Sequence, residues 1–122
     1  SSRVMAPTIL TGVTPAMRIK LEEIMGPVLT VCPFDSEDEA VALANDTEFG
    51  LGASVWTRDK ARGEAVARQI RAGACFVNAI VRSDVRLPFG GTKQSGYGRE
   101  LGYLGLHEFT NIKTVWTGPA KT

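Results

Sequence analysis

One histidine, two cysteines, a net charge of +1 and no long apolar run are the scarcities that first narrow what this 122-residue chain can do. A membrane-spanning helix needs about 18 or more consecutive apolar residues, and none of the runs reaches that length. The opening Ser1-Ser-Arg-Val-Met-Ala-Pro7 has no signal-peptide core. It also begins without methionine, as a processed or truncated chain does. Lysine and arginine total 14 against 13 aspartates and glutamates, interspersed along the chain. That balance leaves no basic stripe and excludes a nucleic-acid partner. His107 stands alone, and Cys32 and Cys75 sit in separate apolar runs, so no spacing suits a metal. Both cysteines read as buried free thiols, which suits a reducing, cytoplasmic setting.

Catalytic and nucleotide signatures are scarce too. No phosphate-cradling loop ending in Gly-Lys-Ser/Thr is present. Gly96-Tyr-Gly-Arg-Glu-Leu101 starts like a dinucleotide fingerprint, but Leu101 replaces the third glycine. Pro88 and Phe89 lie where that fingerprint needs a strand. A Ser-His-Asp triad would have to use His107, and no nucleophile-elbow sequence accompanies it. His107 reads instead as a residue that caps or flanks the last helix.

What is present is an ordinary apolar content of 43% arranged in short alternating elements. A chain of this length fits one domain and would bury roughly two thirds of its unfolded surface, enough for a modest core. Val28 to Phe34 reads as a strand. Ser36 then starts a helix, with Glu39 three residues on as a capping box and Ala40, Val41, Leu43 and Ala44 as its apolar face. Leu51 to Trp56 is a second strand, Asp59 to Arg71 a second helix stopped by Gly73, and Ala74 to Ile80 a third strand. This alternation predicts a parallel strand-helix-strand-helix-strand sheet, with ligands at the carboxyl edge of its strands. A short helix is expected from Arg99 to about Leu106 and a late strand at Thr110 to Trp116. Nothing after that strand can pair with it locally. Val4 to Val13, interrupted by Pro7, is a further strand candidate.

Leu87-Pro-Phe-Gly-Gly-Thr-Lys-Gln-Ser-Gly-Tyr-Gly-Arg-Glu100 carries four glycines in fourteen residues. A loop of that kind is kept for close approach to a ligand or to another backbone. Upstream, Glu22 and Glu23 precede Ile-Met-Gly-Pro27. A carboxylate there can accept hydrogen bonds from a ribose diol, or the two can be a solvated acidic pair before a turn.

Glu23-Ile-Met-Gly-Pro27, Asn45-Asp-Thr-Glu-Phe-Gly-Leu51, Phe76-Val-Asn78, Pro88-Phe-Gly-Gly91 and Ser95-Gly-Tyr-Gly-Arg-Glu-Leu-Gly102 together resemble the aldehyde dehydrogenase superfamily, in its carboxyl-terminal catalytic part. The resemblance runs from about Pro7 to Trp116. It implies that Glu23 holds the nicotinamide ribose of NAD or NADP. Met25 stands where the family usually has a phenylalanine beside the nicotinamide. Ser83 lies in the segment that lines the aldehyde pocket, and a serine there is similar to the succinate-semialdehyde dehydrogenases, where it helps hold the substrate carboxylate. Ser83, Arg82 and Arg86 also fit a plain solvated loop. Glu100 matches a glutamate of the proton relay, although first-turn helix electrostatics would explain it equally well.

The family's nucleophilic cysteine segment, general-base segment and dinucleotide-binding half have no counterpart here. The resemblance therefore implies an α/β fragment: residues 1–108 as the last part of a catalytic domain, and residues 109–117 as a tail strand of the oligomerisation type. Its parent oxidises a small aldehyde, succinic semialdehyde by this reading, to a carboxylate with NAD(P). The parent works as a homo-oligomer, and the fragment alone is inactive. Two other readings remain at this point: a self-associating or subunit-binding module, and a free-standing small nucleotide-binding domain.

Overall fold

Short apolar runs separated by capped helices give the element order of the computed structural model, which describes residues 3–120. The elements are β1 (Thr8–Leu10), α1 (Arg18–Leu21), β2 (Val28–Thr30), α2 (Glu37–Asn45), β3 (Phe49–Gly50), β4 (Gly52–Val55), α3 (Lys60–Ala67), β5 (Ala74–Val77), β6 (Thr92–Lys93) and α4 (Gly102–Glu108).

Both longer helices begin where their sequences say they should. The Ser36 hydroxyl accepts from the Glu39 N–H (3.2 Å), and the Glu39 carboxylate reaches back to the Asp35 N–H (2.8 Å). Asp59 caps α3 by accepting from the Arg62 N–H (3.0 Å). Each cap satisfies donors that the first helical turn leaves free.

The strands are parallel where the sequence predicts it, but they do not form one sheet. β4 and β5 pair in parallel across α3, from Gly52↔Ala74 to Val55↔Val77. β2 pairs with β1 instead of β4, in register from Thr8↔Val28 to Leu10↔Thr30. The third pair, β3 with β6, is antiparallel. The Val4–Val13 candidate thus contributes only Thr8–Leu10, yet those three residues decide the partner of β2. The late strand expected at Thr110–Trp116 is absent: the segment runs without regular structure and exposed, with no neighbouring strand among the described residues to take its backbone bonds.

The modest core does not form. No apolar side chain among the described residues is buried. The residues that are buried are Gly50, Gly63, Gly91 and Gly105. The accessible surface is 10158 Å². A self-contained folded protein of 13.1 kDa would expose about 6,400 Å² and its unfolded chain about 19,000 Å², so burial here is near half, not two thirds. The apolar faces line open grooves instead. Phe34, Val41, Val55, Trp56, Val66 and Ile70 flank a cavity of about 420 Å³ over α2, α3 and β4.

Tightness comes from backbone meeting backbone. A Cβ on Gly73 would stand 1.6 Å from the Gly90 carbonyl oxygen, and one on Gly105 would stand 2.7 Å from the Glu100 carbonyl carbon. These contacts seat the glycine-rich loop against the start of β5 and seat α4 on that loop.

Candidate functional site

The glycine-rich loop is a pinned structure. Its β6 pairs with β3, and the Gly50 N–H donates to the Ser95 hydroxyl (2.9 Å) while Thr92 Oγ1 donates to the Gly50 carbonyl (3.2 Å). Arg99 Nη1 donates to the carbonyls of Gly91 (2.8 Å) and Gly98 (2.6 Å), closing the loop on itself. Phe89 and Glu100 exchange both backbone hydrogen bonds at 2.8 Å. Leu101 follows at φ 63° and ψ 170°, a conformation L-residues rarely hold unless their surroundings impose it.

Three adjoining grooves surround this loop. The first, about 660 Å³, lies between Glu23, the Phe49–Gly52 edge, Ile70 and Ser95. The second, about 500 Å³, shares Leu51 and Ser95 with it and extends past Tyr97 and Arg99 to Glu100. The third, about 670 Å³, shares Glu100 and runs along α4.

Of the predicted residues, Glu23 and Glu100 stand on this connected system. Glu22 and Glu23 are adjacent in sequence and differ in state. Arg18 binds Glu22 through Nε (2.6 Å) and Nη2 (2.9 Å), holding that carboxyl below its usual range. Glu23 makes no side-chain hydrogen bond or ion pair among the described residues. Glu100 lies ahead of α4, whose first residue is Gly102 and whose first turn holds no acidic side chain. The first-turn explanation of Glu100 therefore fails, because the helix starts three residues later than the sequence suggests. His107 sits in the last turn of α4 with its ring edge-on to Tyr103, centroids 4.5 Å apart.

Met25 and Ser83 stand outside these grooves. Met25 is 89% exposed. Ser83 is exposed on the segment after β5. Its neighbour Asp84 accepts from the Arg86 guanidinium (2.9 and 2.6 Å) and from the Arg86 N–H (3.0 Å). The Arg86 side chain, then its N–H, holds the Asp84 carboxyl down at about 2. Arg86 is thus committed to Asp84, while Arg82, beside Ser83, makes no side-chain hydrogen bond or ion pair among the described residues and acts on Asp84 only through its charge.

Neither cysteine lines any of the three grooves. Burial pushes the Cys75 thiol up, against a smaller opposing backbone hydrogen bond from Phe76, so it stays protonated at neutral pH. Cys32 Sγ lies 3.9 Å from the Val13 carbonyl.

Two asparagines do work that the motif reading missed. Asn78, at φ 54°, accepts from the Thr57 N–H and donates to the Thr57 carbonyl, both at 2.8 Å, fastening the end of β5 to the start of the α3 crossover. Asn45 accepts from the Arg71 N–H (2.7 Å) and donates to the Gln69 carbonyl (2.9 Å). Asn tolerates the left-handed region better than most residues, so an Asn ending an apolar strand was a usable signal for the first of these.

The sequence profile described as the aldehyde dehydrogenase family matches residues 1–115. The chain is similar to the betaine aldehyde dehydrogenase of Brucella anthropi, 54% identical over 115 residues, which are 94% of this chain and 24% of that protein. It is also similar to a probable NADP(+) succinate-semialdehyde dehydrogenase of Synechocystis sp., 51% identical over 110 residues, 90% of this chain and 24% of that one. In structure it superposes on the Mycobacterium tuberculosis aldehyde dehydrogenase complexed with NAD+. The TM-score is 0.88 at 44% identity, covering 95% of this chain and 24% of that one. The chain spans about a quarter of the length of the relatives it matches.

Proposed function

The chain belongs to the aldehyde dehydrogenase family, and we propose that it forms one wall of the cofactor and aldehyde sites of an NAD(P)-dependent enzyme that oxidises an aldehyde to a carboxylate. The observation that carries this is the unpartnered Glu23 carboxylate on the rim of the 660 Å³ groove, next to a Glu22 already taken by Arg18. A free carboxylate accepts two hydroxyl hydrogen bonds without first breaking an ion pair, which suits a ribose diol. A bound NAD(P) supplies hydride acceptance. Glu23 would orient the ribose, and Glu100, where the second and third grooves meet, would pass the proton of the hydrolytic water.

For the substrate we propose an aldehyde with a distal carboxylate, succinic semialdehyde. Residues 79–87 carry Arg82 and Arg86 against Asp84 alone, and Arg82, with no hydrogen bond among the described residues, leaves a net positive field beside Ser83 that favours an anion. A cationic aldehyde would meet repulsion there. Residues 1–122 would have no turnover by themselves, because neither cysteine lines the grooves. A reducing, cytoplasmic compartment suits the two free thiols.

The test compares the native gene product with E23Q and S83A variants. Glu23→Gln should raise the KM for NAD(P) by roughly tenfold while leaving the aldehyde KM near its starting value. Ser83→Ala should lower kcat/KM for succinic semialdehyde more than for betaine aldehyde. Cys-dependent turnover by residues 1–122 alone, or an unchanged cofactor KM in E23Q, would overturn the corresponding part.

A specific observation also favours the second reading, a surface that binds other subunits. The 10158 Å² surface exceeds the self-contained value by well over half. Ile112, Val115 and Trp116 stand exposed on an unpaired segment. The two readings are compatible, since a subunit-binding tail serves an oligomeric enzyme.

A further inference from the structure

The turn that closes α2 is gripped from two sides. Lys20 Nζ donates to the Asp46 carbonyl (3.0 Å) and to Asp46 Oδ2 (2.5 Å). Lys93 Nζ donates to the carbonyls of Asn45 (3.0 Å) and Thr47 (2.9 Å). Three consecutive carbonyls at a helix end, where orphan acceptors and partial negative charge gather, are thus met by two ammonium groups. Lys20 comes from α1, three residues before Glu23. Lys93 comes from the glycine-rich loop.

The two grips differ in what else supports them. Lys93 sits on β6, already fixed by pairing with β3 and by the hydrogen bonds of Thr92 and Ser95. α1 has four residues, none buried, and no side-chain cap. Among the described residues, the hydrogen bonds that leave the stretch from Thr14 to Gly26 are those of Lys20 and, at its very end, the one the Gly26 carbonyl accepts from the Val28 N–H (2.8 Å). The Lys20 side chain is only 8% exposed, although it belongs to an otherwise open segment. A long amine that gives up its water and rotamer freedom on an exposed helix is there to hold that helix in one place.

We infer that Lys20 is a positioning residue: by anchoring α1 on Asp46 it fixes where the Glu23 carboxylate stands on the groove, and so sets the affinity for the cofactor. This rests on the reading of Glu23 as the ribose-binding carboxylate. Lys20 lines the same groove as Glu23, but its ammonium is committed to Asp46, so its effect on the cofactor passes through the placement of Glu23, which separates it from a general stabilising contact.

The experiment is a double-mutant cycle on the native enzyme with K20M, E23Q and K20M/E23Q, reading the KM for NAD(P) and for the aldehyde separately. Lys20→Met should raise the cofactor KM by roughly tenfold, short of the hundredfold that misplacing the reacting atoms themselves can cost. The aldehyde KM should stay within about twofold and Lys20→Arg should recover most of the loss, because the arginine still donates to Asp46. In the E23Q background K20M should add little, since positioning an absent carboxylate has no value. Should K20M fail to accumulate as folded protein, the isosteric Asp46→Asn carries the same cycle. A cofactor KM that rises in E23Q but not in K20M, or effects of the two that simply multiply, would overturn the role of Lys20 and leave Glu23 standing. An unchanged cofactor KM in E23Q would remove the role of Glu23, and the inference with it.

Discussion

Ala74–Ile80 and Thr110–Trp116 are both short, β-prone runs, and both read as strands, yet only the first holds one, over Ala74–Val77. β5 finds β4 one crossover away, pairs with it over four residues, and is locked at its end by the two Asn78–Thr57 hydrogen bonds. The tail has comparable side chains, with Trp116 85% exposed, and no strand among the described residues pairs with it. The difference teaches that strand propensity here is permission and a neighbour is the cause. Where α3 brings the neighbour, the unit closes on itself. Where it would have to come from another chain or another part of a chain, the apolar residues stay in water.

Substitutions in the closed unit, at the two ends of β5, should produce the largest effect. Gly73→Ala drives a Cβ into the Gly90 carbonyl, a backbone atom that cannot step aside. We expect a loss of at least about 3 kcal/mol in urea unfolding, among the larger overpacking penalties. Asn78→Ala comes next, with two hydrogen bonds lost and an alanine left in the left-handed region, about 2–3 kcal/mol together by the same measurement. The tail should respond in the opposite manner. Trp116→Ala should change the unfolding free energy of the isolated chain by less than about 0.5 kcal/mol. The same change should shift any self-association toward smaller species in sizing chromatography. A strongly destabilised W116A chain would mean the tail packs at home and the contrast is false.

The smallest effect concerns the exposed segment after β5. Asp84 titrates lower in the folded state, from 3.8 to about 2, so its pairing with Arg86 favours folding above pH 3.8 and that contribution is lost as pH falls toward 2. Between pH 7 and 5 the pair should contribute no slope. D84N should therefore have a stability curve parallel to the parent there and diverge only in acid, which a pH series of thermal melts would read.

What could be read in the sequence was what depends on neighbours in sequence. The Ser36 and Asp59 caps and the β4–α3–β5 unit rest on local chemistry and were legible, whereas α3 stops at Ala67, short of the expected end at Arg71 before Gly73. The partner of β2 was not, because nothing in Val28–Thr30 prefers Thr8–Leu10 over Gly52–Val55. The missing core was hidden for the same reason: composition counts apolar residues without saying which ones meet. At the site, the motifs led to Glu23 and Glu100. They could not say that Arg18 would take Glu22, that Arg86 would take Asp84, or that Lys20 would reach Asp46 across 26 residues of chain. Only the last depends on tertiary geometry; Arg18–Glu22 and Asp84–Arg86 are local pairs, four and two residues apart, and local spacing alone did not single them out from other nearby charges.

The central claim is that this segment completes a larger dehydrogenase whose other parts cover its open faces. The intact mass of the native gene product in its source cells tests that most directly. A mass about four times 13.1 kDa is the expected result, given that the matched residues make up 24% of the relatives. A native product of 13.1 kDa that stays monomeric and binds no other subunit would contradict it.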